Sequence, residues 1–194
     1  MKKIILLMLV FFASVCYAQG TSAEHMTFKG IPIDGSLSSF ISKMKSENFT
    51  YIGTQDGVAI FQGDFAGYKN CEVGVLSLKE TNVVNTVVVF FPECSDWPSI
   101  EQNYSIIKNM LSEKYGDPVN CVEEFQGYSK PQSDNDKWYK LIGKLCTYYS
   151  YFETEKGDIS IEMFSTDYTT CRVKLQYWDK INTNTVRDNA MDDL

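Results

Sequence analysis

The sequence predicts an α+β fold: one antiparallel, curved sheet with helices on one face. Two amphipathic stretches carry helix caps. Each is followed by β-forming runs set between short turns, and the late runs alternate apolar and polar residues. The order is helix, three or four strands, helix, about four strands. That is a candidate tandem α-β-β-β-β pseudo-repeat with halves at about 29–95 and 96–180, although the two halves share little sequence. No Pro/Gly/Ser-rich linker separates them, so a single α+β domain over 29–194 is expected.

The N-terminus reads as a signal peptide. Lys2 and Lys3 precede an apolar run over 4–13, too short for a membrane span and the right length for an export signal. Cleavage after Ala18 puts the small Cys16 and Ala18 at the recognition positions. A lipid anchor on Cys16 is the alternative. It is disfavoured because Val15 and Ala13 do not suit the positions before a lipidated cysteine. The expected address is the periplasm or the medium. The polar segment 19–28 is expected to be flexible. Loss of residues 1–18 removes two of the 18 basic residues and none of the 25 acidic ones, leaving net charge −9. Such a body lacks the cationic footprint that nucleic acid requires, and no second apolar run approaches membrane length.

The elements follow in order. "FKGIPIDG" (28–35) is expected to be extended, because Pro32 keeps Ile31 out of the helical region. Leu37, Phe40, Ile41 and Met44 then form one helical stripe, with Asp34 or Ser36 as cap. Strands are expected over 57–65, 71–78 and 83–91. The last of these, "VVNTVVVFF", is β-branched almost throughout and reads as central. Asp96 and Pro98 open a second helix, and Ile100, Tyr104, Ile107, Leu111 and Tyr115 make its stripe. Gly116 and Pro118 end it. A strand over 119–128, a polar loop over 129–137 and a long aromatic strand over 138–154 come next. Strands over 159–164 and 171–178 follow, and a short helix is expected from Thr185.

Five cysteines remain after the leader: Cys71, Cys94, Cys121, Cys146 and Cys171. No C-x-x-C pair occurs, so a zinc cluster is not expected. In an exported chain the default is disulfides, and five thiols allow at most two bridges. Hairpin centres suggest Cys121 with Cys146 and Cys71 with Cys94, leaving Cys171 free as a small buried hydrophobe.

Catalytic signals are thin. The sole histidine, His25, lies in the segment expected to be loose. Glu123 and Glu124 point to opposite sides of a strand. Glu153, Glu155 and Asp158 flank a turn and read as solvated. Asp134 and Asp136 have calcium-loop spacing without the glycine and distal glutamate such loops need. No nucleotide-binding glycine motif is present, so no cofactor, no metal and no catalytic residue is assigned.

The aromatic strands are more informative. In "CRVKLQYW", Arg172, Lys174, Gln176 and Trp178 share one side. Tyr149 and Tyr151 share a side of the preceding aromatic strand. If helices cover one sheet face, Arg172, Lys174, Trp178, Tyr149 and Tyr151 form the candidate binding set on the other, a mixture suited to protein or glycan recognition. The competing expectation is ordinary cross-strand packing.

"GIPIDG" (30–35), "FQGDFAGY" (61–68), the helix start at Trp97, "KYGDP" (114–118) and "YWDKIN" (177–182) together resemble a family of small uncharacterised exported proteins of Bacteroidetes. The resemblance covers most of the chain that remains after the leader and implies an exported address and an α+β fold, with no activity to carry over. The tandem order is also similar to the β-lactamase-inhibitor-protein architecture, in which an open sheet face holds a partner. The expected function is therefore a non-catalytic binding module of the cell envelope that uses its open sheet face. The alternatives are an envelope hydrolase with an unrecognised site and a structural envelope component.

Overall fold

A computed structural model describes residues 24–192 apart from 80 and 168. The expected leader, Cys16 and the following residues to 23 lie outside the described residues.

A short ribbon opens the fold. Strands β1 (Thr27–Phe28) and β2 (Ile31–Pro32) pair across Lys29 and Gly30, which sit at φ 48° and 79°. "FKGIPIDG" is thus a tight turn and not one extended run. Two successive left-handed residues make a hairpin turn, and glycine adopts that conformation without steric cost. Met26 and Phe28 are buried, so this part of the segment expected to be flexible is built into the fold.

Helix α1 (Leu37–Ser46) is capped by Ser36, whose Oγ accepts the Ser39 N–H at 3.3 Å. Phe40 and Met44 are buried, with Leu37 and Ile41 packed beside them. A four-stranded meander follows: β3 (Thr50–Gln55), β4 (Val58–Phe65), β5 (Tyr68–Ser77) and β6 (Val84–Phe90). Its first two turns, Asp56-Gly57 and Ala66-Gly67, again place both residues at positive φ. β3 has no counterpart in the sequence expectations. It is an edge strand with mostly exposed side chains, so its apolar pattern is weak.

Helix α2 (Trp97–Tyr115) matches its caps closely. Asp96 Oδ1 accepts the Ser99 N–H at 2.8 Å, Pro98 lies in the first turn, and Gly116 ends the helix at φ 86°. β7 (Asn120–Phe125) leads to helix α3 (Asp134–Ile142), where a polar loop and the start of a strand were expected. Ser133 caps α3 through the Asp136 N–H at 3.2 Å, and Asp136 in turn accepts the Gln132 N–H at 2.9 Å. Asp134 and Asp136 therefore serve the helix start. β8 (Cys146–Glu153), β9 (Gly157–Ser165) and β10 (Cys171–Asp179) complete the second meander. Helix α4 (Lys180–Asp192) begins directly after β10, earlier than the expected Thr185, because Asp179 Oδ1 accepts the Asn182 N–H at 2.8 Å and caps it.

All eight strands β3–β10 form one antiparallel sheet in the order β3-β4-β5-β6-β10-β9-β8-β7. The last strand of each half meets the other at the centre: Phe90 lies opposite Lys174 and Val87 opposite Tyr177. Helix plus four strands occurs twice, with α3 inserted into the first hairpin of the second half. α1, α2 and α3 cover one face. That face carries Phe61, Val73, Val75, Val87, Val89, Ile159, Ile161, Val173 and Leu175, all buried. Trp97 of α2 packs on Phe125 and Tyr148, and Tyr104 bonds to Ser150 at 2.7 Å.

Neither expected cysteine pair forms. All five thiols are free. Cys121 lies opposite Ser150, and Cys146 opposite Phe125, four residues along the strand. The insertion of α3 moves the hairpin register away from the middle of the polar stretch. Cys71 pairs across β4 with Gly63, while Cys94 lies opposite Cys171. Cys171, expected to stand alone, is the cysteine with a cross-strand cysteine neighbour.

Candidate functional site

Strand register sets the second face of the sheet. Along its centre run Thr86, Val88 and Phe90 from β6, Arg172, Lys174, Gln176 and Trp178 from β10, and Asp158, Ser160, Glu162 and Phe164 from β9. Tyr149 and Tyr151 of β8 continue it, opposite Glu162 and Ser160. All five residues of the candidate binding set lie on this face.

They divide into two groups. Arg172 and Lys174 are engaged within the sheet. The Arg172 Nε–H donates to the Phe91 carbonyl at 2.8 Å, its guanidinium lies over the Phe90 ring at 5.6 Å, and Glu72 is 3.8 Å away. Lys174 pairs with Glu162 across the strand and lies 5.9 Å above the Phe164 ring. Further along the face the short residues Val88 and Ser160, both opposite Gln176, are buried as well. This part of the face is closed by its own side chains, as the cross-strand packing expectation has it.

Trp178 and Tyr151 behave differently. They line a cleft of about 330 Å³ together with Asp158, Asp179, Lys180, Thr183 and Asn184. The cleft lies where α4 leaves the end of β10. β9 supplies Asp158 directly opposite Trp178, and β8 places Tyr151 on Ser160, one strand further out. Tyr149 stacks beside Tyr151 with ring centroids 6.5 Å apart and planes 14° from parallel. The walls are therefore two aromatic rings, and the polar groups are a carboxylate, an ammonium, a hydroxyl and an amide.

The electrostatics are paired. Lys180 Nζ lies 3.0 Å from Asp158 Oδ1 and also donates to the Thr154 carbonyl at 2.9 Å. Burial, together with the neighbouring Asp158 carboxylate, pushes the Tyr151 phenol above its ordinary value. It is a proton donor at neutral pH.

The cleft floor is anchored from behind. Asp179 is fully buried. Its carboxylate accepts the Met26 N–H at 2.8 Å and the Asn182 N–H at 2.8 Å, and lies 3.1 Å from His25 Nδ1. His25 Nε2 stands 3.5 Å from Asp34. The histidine expected in a loose segment is thus held between two carboxylates, with one side chain on each ring nitrogen. Asn182 adds bonds to the Ile33 and Val84 carbonyls at 3.1 and 3.0 Å, tying the first turn of α4 to β6.

Sequence reasoning found Trp178 and Tyr151 by alternation. It missed Asp158, read there as a solvated turn residue, and also Lys180, Thr183 and Asn184. The available signal was the strand start itself: Asp158 alternates with Ser160 and Glu162, which puts it on the Trp178 side. Glu123 is an ion-pair partner of Lys108 on the helix-covered face, and Glu124 points the other way. Among the described residues, no group of three or more His, Cys, Asp and Glu side chains is placed to hold a metal ion, and no helix is long and apolar enough to cross a membrane.

No protein-family model matches the sequence, and neither curated proteins nor solved structures yield a match. The resemblances drawn from sequence landmarks rest on those landmarks alone.

Proposed function

We propose that the chain is a non-catalytic binding module that works outside the cytoplasm, in the periplasm or the medium, and takes its partner on the open sheet face. The N-terminal charge and apolar pattern supports the address. One observation carries the binding reading: Trp178 and Tyr151 converge with Asp158, Lys180, Thr183 and Asn184 around one cleft. Its volume is in the range of small-ligand sites, roughly 300–1,000 Å³. Aromatic walls offer stacking area, and the carboxylate, ammonium, hydroxyl and amide offer directional bonds. A sugar ring of an envelope glycan presents the matching pair of surfaces, an apolar C–H face and a rim of hydroxyls.

The test is titration of the protein with soluble cell-wall oligosaccharides, followed by Trp fluorescence and calorimetry, for the wild type and Trp178→Ala. The reading expects saturable binding that Trp178→Ala abolishes at an unchanged melting temperature. Loss of fold in Trp178→Ala, with no binding by the wild type, would make this face core and sink the idea. Capture of a stoichiometric protein from native cells, lost in the same variant, would move the partner from glycan to protein. Hydrolysis of the oligosaccharide would favour the alternative of an envelope hydrolase.

A further inference from the structure

Cys94 and Cys171 form an isolated antiparallel bridge between the chain leaving β6 and the first residue of β10. Both backbone bonds are made: Cys94 N–H to Cys171 O at 2.8 Å and Cys171 N–H to Cys94 O at 3.1 Å. Opposed residues that exchange both bonds have Cα atoms about 5.5 Å apart. That separation falls in the middle of the disulfide range, about 4.4–6.8 Å. Opposed residues also send their side chains to the same side of the ladder. Cys94 is 8% exposed and Cys171 fully buried. Burial pushes the Cys171 thiol up to about 12, and the neighbouring Cys94 adds to the rise.

We propose that Cys94 and Cys171 are a reversible disulfide site that clamps the entrance of α2 onto the start of β10. The oxidant is a small or protein disulfide, such as oxidised glutathione. Cys94, the more accessible sulfur, loses its proton and attacks one sulfur of that disulfide. This releases one thiol and leaves a mixed disulfide on Cys94. Cys171 then loses its proton and attacks the Cys94 sulfur, releasing the second thiol. Two protein thiols have given up two electrons and two protons, and the oxidant has become two thiols. The raised thiol pKa makes closure slow in the folded chain and faster when β10 opens or the pH rises. The bond would close a long loop, because Cys94 and Cys171 are far apart in sequence, and such loops gain most from a crosslink.

The experiment uses the reduced full chain equilibrated with oxidised glutathione in sub-denaturing urea. It is quenched with acid, alkylated and mapped by peptide mass. The expected result is a Cys94–Cys171 linked peptide, three alkylated thiols among the five described here, and a melting temperature higher by roughly 5–15 °C than that of the reduced chain. Cys94→Ser should abolish both changes, and Cys121→Ser should abolish neither. A link from Cys171 to Cys146 overturns the proposal, as do glutathione adducts without a link, or five alkylated thiols after equilibration. If Cys94→Ser does not fold, the wild-type peptide map alone decides.

Discussion

Replacing Asp179 by alanine removes one carboxylate that does two jobs. As the cap of α4 it accepts the Asn182 N–H at 2.8 Å, and loss of such a cap costs about 1 kcal/mol. As the anchor of the N-terminal segment it accepts the Met26 N–H at 2.8 Å inside a fully buried site. A buried bond to a charged acceptor contributes about 2 kcal/mol, and the orphaned amide carries a desolvation penalty of its own. The contact with His25, a quarter exposed on the histidine side and buried on the Asp179 side, is left out of the sum. The sum is about 3 kcal/mol, or a fall in melting temperature of roughly 6–12 °C for a chain of this size. Asp179→Asn keeps one carbonyl acceptor and should fall between wild type and alanine. Thermal and urea unfolding give the magnitude, and hydrogen exchange gives the location. The Met26 and Asn182 amides should lose protection while those of Ile161 and Val173 keep it. A loss below about 1 kcal/mol, or unchanged exchange at Met26 and Asn182, would show that Asp179 is not the anchor.

Other outcomes follow from buried contacts. Tyr104→Phe leaves the Ser150 hydroxyl with only Cys121 Sγ at 3.4 Å and should cost about 1–2 kcal/mol. Adding Ser150→Ala should recover part of that loss in urea unfolding; strict additivity would contradict a direct bond. A Cβ on Gly157 would stand 2.1 Å from the Trp178 carbonyl, so Gly157→Ala must push β9 from β10. It should cost more than the roughly 1–3 kcal/mol of ordinary overpacking and perturb Trp178 fluorescence; a neutral variant would contradict the strand spacing. Burial pushes the thiols of Cys71 to about 11 and of Cys146 and Cys171 to about 12, and raises the Tyr104 and Tyr177 phenols. Their unfolded counterparts ionise first as pH rises. Stability should therefore be full below about pH 8.5 and fall steadily from there toward pH 12. Urea midpoints for the reduced protein that stay flat to pH 10.5, roughly two units above a free thiol's pKa, would count against buried, neutral thiols.

What the sequence made legible depended on local signals. α1 and α2 were readable because Ser36, Asp96, Pro98 and Gly116 act on their own helix ends, and the central position of β6 because "VVNTVVVFF" has no polar face. α3 was hidden because Trp138, Tyr139 and Ile142 favour strands in isolation. The Ser133 and Asp136 cap, with Trp138, Leu141 and Ile142 at helical spacing, decides otherwise. The Cys121–Cys146 pairing failed for the same reason, since a hairpin register cannot be read across an unrecognised helix, whereas Cys94 lies beyond the end of β6 and faces Cys171 instead of Cys71. The aromatic half of the cleft was visible from alternation. Asp158, Lys180, Thr183 and Asn184 join it only through the β9–β10 ladder and the early start of α4, which are tertiary facts.

The seam where β6 meets β10 has a consequence for how the chain is made. Phe90 and its partner Lys174 are separated by nearly half the sequence. Closing a loop of that length costs about 4 kcal/mol of chain entropy before any contact forms. The hairpins within each half are local and can form early, whereas the seam must come late, so folding should be slow for a chain of this size. During synthesis the Val-rich edge of β6 emerges long before β10 exists to pair with it. Until then it presents unpaired backbone and apolar side chains to any similar strand nearby. A chain cut short after β6 should therefore aggregate even though it holds a complete helix and four complete strands of the sheet. Segment 171–179 is the natural antidote, and supplied as a separate peptide it should suppress that aggregation.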